Sequence, residues 1–146
     1  MSLRHEGLIV SLKEMGFFDS GTASVRPESL GAISRLAAVL KERPENLRIE
    51  GHTDNVPIHN SRFVSNWELS TTRATDLIRL LITKYGLPAD HLAAAGYAQF
   101  HPVATNSTPE GRAQNRRLDV VILAPSGPQN RDTVNFQSWS PLGRGP

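Results

Sequence analysis

The apolar positions of the chain change their period several times, and each change marks an element. Residues 8 to 14, Leu-Ile-Val-Ser-Leu-Lys-Glu, predict a strand, with Phe17 and Phe18 just beyond it. "DSGTASVRP" (19–27) reads as a turn-rich connection. Leu30, Ile33, Leu36, Ala37 and Leu40 then keep helical spacing, from Pro27, which suits a first turn, to Arg43-Pro44, which ends the run. A second strand is predicted over 47–52, followed by a loop holding Pro57, His59, Asn60 and Ser61. Ala74, Leu77, Ile78, Leu81 and Tyr85 give a second helix its core stripe. Asn66 is the expected N-cap of that helix, Glu68 stands in its first turn, and Gly86 is its left-handed stop. A small-residue strand over 92–98, a polar loop over 99–114 and a last strand from Leu118 to Leu123 complete the pattern.

The order β-α-β-α-β-β predicts an α+β fold: one mixed four-stranded sheet with two main helices on one face. Helical crossovers imply parallel neighbours, and the closing strand is expected to pair antiparallel. Residues 1–123 make one domain on this reading. Residues 124–146 differ, with four prolines, three glycines and almost no periodicity, and read as a Pro/Gly-rich extension. Phe136, Trp139 and Leu142 within it are candidates for docking on this domain or on a neighbouring chain.

Composition narrows the picture a little. With 146 residues, 38% hydrophobic and 21% charged, the chain is long enough for one proper core. A net charge of +2 without any basic run argues against nucleic acid, since Arg116-Arg117 is the one adjacent pair of cations. The absence of cysteine removes disulfides, thiol catalysis and Cys-based zinc sites. No apolar stretch approaches the ~18 residues that span a bilayer, and no signal peptide opens the chain. Met1-Ser2-Leu3 reads as a cloning remnant, so a piece of a longer protein is expected.

The candidate chemistry begins at "EGHTDNVPI" (50–58), where an alternating run ends in a histidine, a hydroxyl, a carboxylate and an amide. Asp54 lies at the C-terminal end of a strand, where ligand crevices form in open α/β sheets. Arg73 lies two turns into the following helix, so a β-loop-α unit can place it beside Asp54. The pair is either a structural salt bridge or a clamp for a zwitterion, ammonium to Asp54 and carboxylate to Arg73. Helix N–H groups near Asn66 would favour the anionic end.

Three segments in order carry a resemblance: Thr53-Asp54, then Asn66-x-x-Leu69-Ser70-x-x-Arg73-Ala74, then Glu110-Gly111-Arg112-Ala113-x-Asn115-Arg116-Arg117. Together they resemble the OmpA/MotB-type peptidoglycan-binding domains, over about Gly7 to Leu123. The resemblance implies non-covalent binding of the wall's stem peptide, without catalysis and without a cofactor. It implies that Asp54 and Arg73 hold the amino-acid end of diaminopimelate, and that Thr53, Asn66 and Leu69 shape the pocket. Asn115, Arg116 and Arg117 border the same groove on this reading. "GHTDNVPI" with a longer loop before "SNWELS", and "GFFDSGTASVRP" near the start, are similar to the flagellar-stator branch of the family. That likeness implies a homodimer and a MotA-like stator subunit, met through a membrane helix that these residues do not include. It also implies a periplasmic place, anchored in the inner membrane of a Gram-negative bacterium. The other branch implied is an envelope-to-wall linker unconnected with motility.

Simpler readings stand beside these. His52 with Asp54 and His59 matches no helix-borne metal motif, so no metal is expected, and His52 reads as a packed or hydrogen-bonded histidine. His5, His91 and His101 read as solvated. Asp54 and Glu68 would serve glycan cleavage only if they converged. Arg112, Arg116 and Arg117 form either a solvated edge or a rim attracting carboxylates, and Trp67 either packs at the helix entry or stacks on sugar.

Overall fold

The computed structural model describes residues 2–4, 7–18 and 26–124. Five strands form one sheet in the order β1-β2-β5-β3-β4: β1 (Ser2–Arg4), β2 (Gly7–Lys13), β3 (Leu47–His52), β4 (Leu92–Gly96) and β5 (Arg117–Leu123). The four predicted strands are present, and β1 adds a short antiparallel edge beside β2. The helices are α1 (Glu14–Phe17), α2 (Leu30–Lys41), α3 (Asn66–Thr83) and α4 (Pro109–Asn115).

Only part of the expected pairing holds. β3 and β4 are parallel neighbours, as their crossover requires. β2 and β3 run in the same direction but do not touch, because β5 inserts between them antiparallel to both. The run Leu118 to Ile122 explains the insertion. Leu118, Val120 and Val121 are fully buried, so both faces of β5 are covered and it belongs at the sheet's centre.

One face of the sheet carries Leu12, Leu47, Ile49, Leu118, Val120 and Ile122. Ile33, Ala37 and Leu40 of α2 and Ala74, Leu77 and Leu81 of α3 pack on that face and form the core. Both apolar stripes thus point where the 3.6-residue period placed them. Gly86 stops α3 with φ of 72°, a left-handed turn that glycine adopts without strain.

Three predicted boundaries shift. The first helix opens as a 3₁₀ turn, Pro27–Ser29, before α2. Asn66 is the first residue of α3, not its cap: Ser65 is the N-cap and accepts from the Trp67 amide at 3.2 Å. Glu14 leaves the strand and begins α1. In addition, the expected loop over 99–114 contains the start of α4, capped by Thr108 with Pro109 in the first turn. All of the 124–146 extension beyond Ala124, with its proposed contacts at Phe136, Trp139 and Leu142, lies outside the described residues, as do His5 and most of the 19–27 connection. Among the described residues no helix is long and apolar enough to cross a membrane.

Candidate functional site

The ends of β2 and β3 and the beginning of β5 meet at one end of the sheet, since Lys13 pairs with Arg117 and His52 with Arg117. α3 is drawn tightly against this end. A Cβ on Gly51 would lie 2.0 Å from the Ser70 carbonyl oxygen, so glycine alone lets the helix approach β3 so closely. Ser70 reinforces the contact, its hydroxyl accepting from the Ala98 amide at 3.1 Å and donating to the Trp67 carbonyl at 3.1 Å. One turn further along, Arg73 is thereby set beside the strand ends.

A cavity of about 270 Å³ opens there, lined among others by Glu14, Thr53, Asp54, Asn66, Arg73 and Arg116. Asp54 and Arg73 do flank one pocket, but they are not each other's salt-bridge partner in it. Arg73 Nη2 donates to Glu14 Oε1 at 2.6 Å and its guanidinium lies 5.3 Å over the Phe18 ring. Arg116 bonds the other Glu14 oxygen and reaches Asp54 Oδ2 at 2.7 Å. Charges therefore alternate along one chain: Asp54, Arg116, Glu14, Arg73. Burial works to lower the Arg116 pKa, but Asp54 and Glu14 outweigh it and hold the guanidinium more firmly charged than usual.

The remaining pocket residues fix the loop. Asp54 Oδ1 accepts from the Val56 amide at 2.9 Å. The Asn66 side-chain amide donates to the carbonyls of Val56 at 3.1 Å and Asp54 at 3.4 Å. Thr53 donates its amide to the Ala98 carbonyl at 2.9 Å and its hydroxyl to the Asp54 carbonyl at 2.8 Å. Leu69 packs with Phe63 and Ile58 in a small apolar cluster beneath the loop. Arg112 also lines the cavity and donates to the Asn106 carbonyl at 2.9 Å.

Two residues expected at this groove do not line it. Asn115 is fully buried, and its side chain accepts from the Val103 and Ala104 amides at 2.7 and 2.9 Å. It holds the loop before α4. Arg117 faces the other side of the sheet, because strand alternation sends Arg116 and Arg117 in opposite directions. There it bonds Asp119 Oδ2 at 3.1 Å and the carbonyls of Asn115 and His101.

Glu14 was missed by the sequence reading. A lone glutamate closing a strand carries no local mark of burial, and only the topology brings it to Arg73. Glu68, the other acid weighed with Asp54, is exposed and accepts from the Ser65 hydroxyl, which holds its carboxyl below the usual range. It lies outside the cavity lining, so the two acids do not form a paired site. Trp67 is neither buried nor isolated: it is 49% exposed and tilts against Phe100, 59% exposed, at 5.3 Å between centroids.

These features define an α+β domain with a small, charge-alternating cavity at its strand ends. The chain belongs to the OmpA family, whose model matches residues 17–116. It is 46% identical over 119 residues to Motility protein B of Bacillus subtilis (strain 168), covering 81% of this chain and 46% of that protein. The chain thus spans about half the length of the curated relatives it matches. Among solved structures it is similar to the periplasmic domain of Helicobacter pylori MotB, at 25% identity and a TM-score of 0.78, covering 84% of this chain and 80% of that one. It is also similar to the cell wall anchor of the T6SS from Pseudomonas aeruginosa, at 38% identity and a TM-score of 0.75, covering 80% and 81%.

Proposed function

We propose that this domain binds peptidoglycan without cleaving it, taking the free amino-acid end of a diaminopimelate stem peptide in the Asp54–Arg73 cavity. The observation that carries this reading is the alternation of two carboxylates and two guanidiniums around a cavity of about 270 Å³. A ligand end bearing an ammonium and a carboxylate on one carbon adds no net charge to such a network. Arg116, partly exposed, can release Asp54 to the ligand's ammonium and turn toward its carboxylate. Arg73 supplies the second, fixed guanidinium. Thr53, Asn66 and Leu69 hold the loop that presents Asp54.

The similarity to Motility protein B supports a stator role: a wall anchor in the periplasm for a membrane-held protein that assembles with a MotA-like subunit. The 38% identical wall anchor of a secretion system supports a second reading, an anchor unconnected with motility. Co-purification of the full-length protein with a MotA-like membrane subunit separates the two.

A pull-down on purified sacculi tests the pocket reading. A wall with lysine at the third stem position lacks the terminal carboxylate, and binding to it is expected to be markedly weaker than to a diaminopimelate wall. Equal binding to both would move the contact elsewhere, and muropeptides released over time would turn the reading toward a hydrolase.

A single site of this size gives modest affinity, whereas two linked copies on a repeating lattice gain ~10²–10⁴ in avidity without new contacts. We therefore expect a monomer–dimer equilibrium in the micromolar range, measured by sedimentation at several concentrations. A strict monomer at hundreds of micromolar (on the order of a hundredfold above that range) removes the dimer for this chain.

A further inference from the structure

The helix-free face of the sheet carries a second set of charged groups that the cavity at Asp54 does not use. Glu50 and His52 of β3 share that face with Asp119 of β5, whose register places Glu50 opposite Asp119. All three are sealed, at 2%, 2% and 3% exposure. His52 Nε2 lies 3.5 Å from Glu50 Oε1 and 3.8 Å from Asp119 Oδ2. One candidate ligand atom from each residue lies within 4.8 Å of the others. Among the described residues neither nitrogen of His52 makes a well-formed hydrogen bond, the nearest acceptor being Glu50 at 3.5 Å, an arrangement that buried polar groups rarely keep. Tyr97 stacks flat on the imidazole, with centroids 5.2 Å apart and planes within 7°, so the ring's face is covered and only its edge can bond.

We infer that Glu50, His52 and Asp119 form a binding site for a divalent transition-metal ion of the zinc class. Ligands on an ion at about 2.0–2.2 Å in a tetrahedral array lie about 3.3–3.6 Å apart, close to the two separations from His52. One imidazole and two carboxylates suit zinc or cobalt, whereas calcium asks for six or more oxygens and magnesium for a hydrated octahedron.

Donors already orient both carboxylates, Glu50 through the oxygen turned away from His52 and Asp119 through both oxygens, the one facing His52 included. Arg48 Nε bonds the other Glu50 oxygen at 2.8 Å, Arg117 Nε bonds Asp119 Oδ2 at 3.1 Å, and Ser11 bonds Asp119 Oδ1. Such outer contacts are usual around metal ligands. They also neutralise part of the ligand charge, so affinity in the micromolar rather than the nanomolar range follows. A cleft of about 850 Å³ reaches His52 and Asp119, though not Glu50, and gives an ion its way to the cluster.

The test uses the metal-stripped chain titrated with Zn²⁺ and Co²⁺, with Ca²⁺ and Mg²⁺ as comparisons. One equivalent of zinc should bind, the cobalt form should show the visible absorption of a four-coordinate ion, and the ¹⁵N resonances of the His52 ring should move. Glu50→Gln and His52→Gln should each weaken binding by more than about tenfold, while His59→Gln should not. Binding that survives both site variants, or that moves only the ring signals of His59 and His91, overturns the inference. If the variants do not fold, the wild-type spectrum still decides: a His52 ring unmoved at saturating zinc also overturns it.

Discussion

Replacing Glu14 with alanine is expected to cost the domain about 3–5 kcal/mol, the usual result of breaking a buried ion pair by removing one partner. Glu14 is buried and is the carboxylate that Arg73 and Arg116 share. Its loss leaves two guanidiniums at one end of the sheet, with Asp54 as the near counter-charge among the described residues. Arg73 is itself 3% exposed and cannot recover the lost contact from bulk water. Glu14→Gln keeps the volume and one acceptor oxygen, so its cost should be clearly smaller. Urea unfolding of the three proteins measures this, and for a domain of this size the alanine variant should melt on the order of 10 °C lower. A loss below about 1 kcal/mol would place Glu14 among exposed, weakly coupled acids and sink the account of the network.

Much of this architecture was legible because it follows from periodicity. The stripes of α2 and α3, the Gly86 stop and the apolar run of β5 each state a local rule that the core obeys. The insertion of β5 between β2 and β3 was less visible, although the consecutive Val120, Val121 and Ile122 signalled burial on both faces. The start of α4 was marked by Thr108-Pro109-Glu110, a capping residue, a first-turn proline and an acid, and was hidden by the polar composition around it. Asp54 and Arg73 were found because a β-loop-α unit makes them near neighbours. Glu14 could not be found that way, and Arg116 entered only through the resemblance, since they meet Arg73 and Asp54 only after the chain closes over separations of 59 and 62 residues. Arg117 and Asn115 were misplaced at the groove for a related reason. A motif gives sequence adjacency, but the pleat decides which of two adjacent arginines reaches it.

In Arg73→Ala, binding of a diaminopimelate muropeptide should weaken by about 10- to 150-fold, the worth of one charge-assisted bond of roughly 1.5–3 kcal/mol. The structure adds a qualification to the expected stability. Glu14 keeps Arg116 as a partner after the substitution, so Arg73→Ala should cost less stability than Glu14→Ala and leave a folded domain to assay. Asp54→Ala should lose a similar share of affinity by removing the ammonium's partner, and it frees Arg116 from its 2.7 Å contact as well. Affinity alone does not separate a direct contact from a reshaped pocket, but discrimination does. Wild type should prefer the diaminopimelate peptide over its lysine counterpart, because only the first offers a carboxylate to Arg73. Arg73→Ala should bind the two peptides nearly alike, whereas Asp54→Ala, which leaves the guanidinium in place, should keep some of the preference. Titration of both peptides against all three proteins, with folding checked by circular dichroism, reads this directly. A folded Arg73→Ala that still favours the diaminopimelate peptide as strongly as wild type would show that the carboxylate is read by another group, with Arg116 the first to examine.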